Sequence, residues 1–301
     1  MFSLAVPMQI KFYPEFQLLE KEHKTLIDGL FTKFSPLISE FTFTNLYCWR
    51  NIYKISITTL NGFVLLSSGN GKEKRFFMPL GEGDTKSLME EILSKENSIF
   101  FRLPEDIVTY FLDDNRFFPE LDRDNCDYLF NTQDLISLQG KKYDGKRNLI
   151  KKFKSTYKYE YVKLDASNIK ECLEFEDKWC SVKDCDGVEG LNDERQAIRE
   201  MMNNCLVFTL IAGAIKVEGK TCALAIGERL NTNTLVLHVL KADPNMPGLY
   251  QVITNEFIVH EGGSFEYVNF EQDLGVPGLR KAKLSYNPVK LINKYTLRRL
   301  R

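Results

Sequence analysis

Apolar residues along this chain recur with two periods, about 3.6 and 2, in alternating blocks. The second half is sharper. Residues 146–157 are basic and helix-prone, while 159–164 alternate and are rich in aromatics, which predicts a strand. Capping residues at 165–168 precede helical spacing over 169–179, and Asn192 or Asp193 caps a second helix running to Met202. Three strands are predicted next, at 206–212, at 214–229 with a break near Gly219, and at 234–241. Asn231-Thr232-Asn233 is a turn signal between the last two. Helical periodicity resumes over 249–260, 265–270 is strand-like, 275–283 is a short helix, and 284–300 alternates around Pro288.

The first half follows the same order more loosely. A strand at 8–12 precedes helices at 16–34 and 42–53. Strands at 55–59, 63–67 and 76–80 come next, with Asn61-Gly62 as a hairpin turn. An amphipathic helix at 84–95, a strand at 99–102, a helix opened by Pro104 and strands at 117–121 and 128–130 complete it. The repeated order predicts a structural duplication without visible sequence identity, with domains at 1–139 and 140–301. The fold class is α/β (α+β), each domain a splayed mixed β-sheet flanked by helices.

Composition narrows the class. The 301 residues suit two domains, and 44% hydrophobic with 27% charged content excludes disordered, collagen-like and coiled-coil chains. No run of about 18 apolar residues can span a bilayer, and no leader with a small-residue cleavage site is visible, so a cytoplasmic protein is expected. The seven cysteines form no CxxC pair, Cys180 and Cys185 being closest, and are expected to be reduced and mostly buried. With only three histidines, no metal site is expected. Nothing matches a P-loop, a dinucleotide fingerprint, H-E-x-x-H or G-x-S-x-G.

The element order resembles the acyltransferase fold of the GNAT superfamily, once per half. In that superfamily the cleft opens after the fourth strand, and the following helix N-terminus holds the acyl-CoA pyrophosphate. The matching loop here, residues 243–250, keeps one glycine, Gly248, with two prolines and no basic residue; residues 81–84 of the first half add two acids. More specifically, the chain resembles the phosphatidylglycerol lysyltransferase C-terminal domain family. The resemblance rests on Phe43-Thr44-Asn45-Leu46-Tyr47-Cys48-Trp49, on Tyr143-x-x-Lys146-Arg147-Asn148, on His238-Val239-Leu240-Lys241-Ala242-Asp243, and on the run from Asn269 to Lys283 followed by Tyr286-x-Pro288. It implies two tandem GNAT-like domains. In membrane-bound relatives it implies transfer of an aminoacyl group from aminoacyl-tRNA to a lipid headgroup. The lipid-delivering membrane half is absent, so the acceptor is not carried over.

Aminoacyl transfer needs a positioned acceptor, removal of its proton and donors for the developing oxyanion. Asn269, Glu271 and Asp273, with Gln272 among them, sit where a predicted strand ends, and the alternating three share a face if the strand continues. Arg280 and Lys283 are neighbours on the next helix. The carboxylates would orient a cationic amino acid and the cations would bind phosphate; the plainer reading is that Asp273 caps the helix and Arg280 pairs with Glu271. His238 is either a satisfied buried histidine or lines the cleft with Lys241 and Asp243. Tyr250 is a candidate general acid or a packing residue. Trp49 and Trp179 read as packing.

Two basic runs add an electrostatic signal: eight Lys/Arg against one acid over 141–158, and eight against none over 280–301. They are solvated faces, or they meet an anion such as a tRNA acceptor stem, CoA or a phospholipid surface. The net charge of −1 divides after Gln139 into −6 and +5. The combined reading is an acyltransferase whose second domain carries the site, with aminoacyl-tRNA as donor and the acceptor open. The alternatives are an acetyl-CoA-dependent N-acetyltransferase and a non-catalytic RNA- or anion-binding module.

Overall fold

The computed structural model describes residues 10–69, 71–95, 97–165, 168–183 and 190–300. The acidic loop with Cys185, and the start of the strand expected at 8–12, lie outside these residues. In chain order the described strands are β1 (Gln17–Leu18), β2 (Ser56–Leu60), β3 (Phe63–Ser68), β4 (Lys74–Phe76), β5 (Ser98–Leu103), β6 (Phe117–Leu121), β7 (Asp127–Asn131), β8 (Tyr159–Lys163), β9 (Ile211–Val217), β10 (Lys220–Arg229), β11 (Thr234–Ala242), β12 (Tyr267–Asn269), β13 (Lys290–Ile292) and β14 (Tyr295–Arg299). They form two seven-stranded mixed sheets flanked by helices, the fold class read from the sequence.

The chain separates into one compact unit of Met1–Arg123 with Asn293–Arg301, and a second of Asp124–Ile292. The boundary thus falls before Asp124 rather than after Gln139. Strand pairing is the reason. β7 pairs with β12 and β13 in the second sheet, while β14 inserts between β5 and β6 in the first. The strand expected to close the first half therefore serves the second, and the last strand of the chain returns to the first.

In the first unit the order is β1-β2-β3-β4-β5-β14-β6, with β4 and β5 parallel. The helix Phe43–Tyr53, capped by Thr42 on the Asn45 amide, buries Phe43, Leu46, Tyr47 and Cys48. In the second unit the order is β13-β7-β12-β11-β10-β9-β8, with β11 and β12 parallel. The helix Leu249–Glu261 covers one face of this sheet, where Val252, Ile253 and Phe257 join Ala223, Ala225, Leu235 and Leu237 in the core. The helix Asp144–Thr156 adds Ile150 and Phe153 to that core, and its lysines lie away from it. The helix Ile169–Lys183 packs against β10 and β11.

Each parallel pair is short. β4 and β5 pair as far as Phe76 with Phe100, and β11 and β12 as far as Val236 with Asn269. Two residues beyond, both units place a side chain on left-handed backbone: Arg102 at φ 54° and Glu271 at φ 57°. The duplication is thus repeated in backbone geometry, with opposite charges at equivalent points.

Some elements differ from the sequence expectation. Residues 205–208 form a helical turn ending at left-handed Thr209, not a strand, and β9 begins at Ile211. Only Phe208 of that apolar run is buried. The expected helix at 16–34 begins with β1 and a short 3-10 turn, and is α-helical only over Lys24–Phe34. Cys180 is disulfide-bonded, contrary to the expectation of reduced thiols, whereas Cys48, Cys126, Cys172, Cys205 and Cys222 are free. Among the described residues no helix is long and apolar enough to cross a membrane.

Candidate functional site

The second sheet splays beyond Val236 and Asn269, and a bulge marks the opening. The β10–β11 register shifts between Ile226 and Gly227, leaving His238 as the extra residue of β11. Gly227 is required there, because a Cβ would stand 2.4 Å from the Val236 carbonyl oxygen. The bulge brings His238 and Glu228 together. His238 Nε2 donates to Glu228 Oε1 at 2.9 Å and Nδ1 donates to Glu271 Oε1 at 2.7 Å. The imidazole is 1% exposed. Burial pulls its pKa down, but the hydrogen bonds and charges of Glu228 and Glu271 outweigh this and raise it to about 10. At neutral pH His238 is therefore an imidazolium with both nitrogens committed. It spans the splay and is not a free base.

Glu271 follows β12 directly. Its amide donates to Asn269 Oδ1 at 2.7 Å, and Asn269 Nδ2 donates to Asp127 Oδ2 at 3.1 Å. Lys283 donates to the carbonyls of Phe270 and Gln272, one on each side of Glu271. This clamp fixes the left-handed turn that a non-glycine residue adopts only when its surroundings over-determine it. The Glu271 side chain remains 18% exposed, and its Oε2 accepts no hydrogen bond among the described residues.

Asp273 is fully buried and saturated. It accepts from Tyr128, from Arg280 Nε at 2.9 Å and Nη2 at 2.8 Å, and from the Gly275 amide at 2.8 Å. Burial alone would raise its pKa, but these donors hold it well below the usual carboxylate range. Arg280 also reaches Asp124 at 2.6 Å. The carboxylate pair and cation pair of the sequence therefore separate into different tasks. Asp273 and Arg280 anchor the loop, Lys283 clamps it, and Glu271 alone keeps an oxygen to spare.

A second polar group sits farther along β11. Lys241 donates to Glu194 at 2.6 Å and lies 3.6 Å from the Trp179 ring centre. Glu176 is fully buried beside them, and burial raises its pKa against the pull of Lys241. Trp179 donates to the Ala242 carbonyl at 3.0 Å. Tyr250 is half-buried, and desolvation raises its pKa. Asp243 accepts from the Asn245 amide at 2.9 Å and so builds the turn. Gly248, at φ 92°, precedes the helix Leu249–Glu261. A Cβ on it would stand 2.5 Å from the Leu149 carbonyl oxygen, so the helix Asp144–Thr156 packs closely on this turn. Arg147 ties the carbonyls of Leu138 and Gly140 to its own helix start, Asn148 is exposed, and Lys146 reaches Ser285.

Glu228 escaped the sequence reading. Its signal was Gly227, an interior strand glycine marking a bulge. Tyr128 escaped because its strand was assigned to the other half.

The family profile described as phosphatidylglycerol lysyltransferase, C-terminal, matches residues 31–298. Among solved structures, a conserved protein of unknown function from Bacteroides thetaiotaomicron is 32% identical, with 97% of this chain and 100% of that chain covered at a TM-score of 0.88. L-PGS from Bacillus licheniformis shares the fold at 13% identity, covering 84% of this chain and 90% of that chain, TM-score 0.57. FemX does so at 8% identity, covering 94% and 96%, TM-score 0.56. No curated protein matches the chain. The chain belongs to the phosphatidylglycerol lysyltransferase C-terminal family.

Proposed function

We propose that this protein is an aminoacyltransferase that moves an aminoacyl group from the ester of an aminoacyl-tRNA to an amine or hydroxyl acceptor, with Glu271 as the general base. The observation that carries the reading is the Glu271 carboxylate, held on left-handed backbone at the splay with one oxygen on the His238 imidazolium and the other without a partner among the described residues. Oε2 takes the acceptor's proton as its nitrogen or oxygen attacks the ester carbonyl. The tetrahedral intermediate then collapses, the ester C–O bond breaks, and the ribose oxygen leaves with a proton. The His238 imidazolium, hydrogen-bonded to Oε1, orients Glu271 and leaves Oε2 facing the opening. Tyr250 lies in the first turn of the helix after β11 and is a candidate proton donor to the leaving oxygen.

Gly248 supports a tRNA ester over acyl-CoA as donor. The loop 243–250 that carries it has no other glycine and no basic residue, and the Leu249 amide is spent on the Met246 carbonyl, a poor cradle for a pyrophosphate. The test is consumption of labelled aminoacyl-tRNA with hydroxylamine as surrogate acceptor. Glu271→Gln keeps the size of the side chain and is expected to lower the rate about 100-fold or more, in the range of lost acid–base catalysis. Equal rates for wild type and variant would remove Glu271 from the chemistry. No consumption by wild type above the uncatalysed rate would remove the activity.

A further inference from the structure

Glu176 is a buried carboxyl that the proposed reaction does not use. It stands one turn before Cys180 on the helix Ile169–Lys183, and both side chains are buried. Its Oε1 lies 3.9 Å from the Cys180 sulfur, and its Oε2 has no hydrogen-bond partner among the described residues. Cys180 is disulfide-bonded, so its sulfur has no proton to give. Neither Glu176 oxygen therefore accepts a hydrogen bond among the described residues. Such isolation costs a buried carboxylate heavily and a neutral carboxylic acid far less.

The groups that face Glu176 agree with the neutral form. Burial pushes its pKa up; Lys241 of β11 pulls it down, Glu194 pushes it up, Arg195 pulls it down and Asp177 pushes it up, with a net upward shift. Lys241 is spent on Glu194, and Arg195 on Asp177. When a disulfide is exchanged, the leaving sulfur departs as a thiolate, and the rate depends on how well that charge is tolerated. A thiolate released in an apolar, buried position is a poor leaving group. A carboxylic acid one turn away answers this need by giving the sulfur its proton.

We propose that the Cys180 disulfide is redox-active towards dithiol reductants and that Glu176 is its buried proton donor. A thiolate of the reductant attacks the sulfur bonded to Cys180. The S–S bond breaks, and the Cys180 sulfur leaves with the electron pair and takes the Glu176 proton. The reductant's second thiol then displaces the mixed disulfide, so the reductant is oxidised to its own disulfide and the protein is left with two thiols. The two protons of the reductant end on Glu176 and on the second protein thiol. The inference does not rest on the transfer reaction proposed above, since neither Glu271 nor Tyr250 takes part.

The full chain, isolated without reductant, is treated with dithiothreitol, quenched with acid and alkylated in denaturant. Mass spectrometry then counts the thiols, and wild type is expected to gain two. Folded Glu176→Gln should be reduced about 100-fold more slowly, in the range of lost acid–base catalysis, whereas Glu174→Gln, exposed on the same helix, should match wild type. The sign is diagnostic, because a merely loosened helix would open the sulfur to attack and speed its reduction. In urea all three proteins should react alike. A second measurement needs no variant: the wild-type rate per dithiothreitol thiolate should fall as pH rises and Glu176 loses its proton. A rate per thiolate that is flat in pH, or a folded Glu176→Gln that is reduced as fast as wild type, overturns the proton donor. A wild type whose thiols are all alkylated before any reductant is added overturns the site.

Discussion

His238 shows how a residue's surroundings decide its chemistry. An isolated imidazole titrates near 6.5 and is the usual choice for a base, but two glutamates on one buried ring turn it into a fixed cation. Its folded pKa of about 10 lies above the unfolded value. The stability it contributes is therefore fully present below about pH 6.5 and is lost as pH rises through about 10. Urea unfolding from pH 6 to 10 is expected to show wild type weakening relative to His238→Gln, whose difference from wild type should shrink as pH rises. At neutral pH the substitution should cost about 3–5 kcal/mol, as expected when one partner of a buried ionic group is removed. Parallel pH profiles for the two proteins would show that the ring is neutral. The sequence exposed the residue types at this site but not their division of labour. Glu271, Asp273, Arg280 and Lys283 lie within 13 positions, and nothing in their spacing tells which carboxylate is saturated. That follows from Tyr128 and Asp124, well over 100 positions away.

At the scale of elements, the period of the apolar pattern was reliable where a helix or strand has one wet face and one dry face. The helices Asp144–Thr156 and Leu249–Glu261 and the strands β10 and β11 stand close to where alternation put them. It failed at 205–208, where an apolar run with Leu206 79% exposed read as a strand but forms one helical turn. Periodicity also gave no warning that β11 contains a bulge, because one extra residue changes facing without changing composition. Gly248 is where two helices meet, and its substitution tests that contact directly. Gly248→Ala forces a Cβ against the Leu149 carbonyl and strains a positive φ. A loss of about 1–3 kcal/mol is expected, the range for a strained backbone position. Urea denaturation checks it, and an unchanged midpoint would mean the helices are not in contact at this point.

At the scale of the whole molecule, the charge asymmetry read from the sequence dissolves once the units are drawn by their contacts. The first unit, including Asn293–Arg301, holds 18 basic and 17 acidic residues; the second holds 22 and 24. Neither is strongly basic, so net charge alone does not draw in a tRNA, and its recognition would rest on local basic runs such as 141–158. The asymmetry arose from counting the C-terminal strand with the wrong sheet. Alternation over 284–300 suits either sheet equally, and only long-range pairing chooses between them. In the first sheet β14 lies between β5 and β6, buries Leu297 completely and follows directly on the fully buried Lys294, whose ammonium bonds Glu40. Truncation after Ile292 removes this strand from the sheet interior, strands β6 and leaves Glu40 facing Arg102 without Lys294. The first unit is expected to lose cooperative unfolding and to be cut by protease within 10–123. The second unit, whose β7 comes from earlier in the chain, should retain its protected core. Calorimetry and limited proteolysis of the truncated chain read both outcomes. A truncated protein whose first unit melts like the full chain would mean that β14 closes the sheet without holding it, and that the exchange of terminal strands carries no stability.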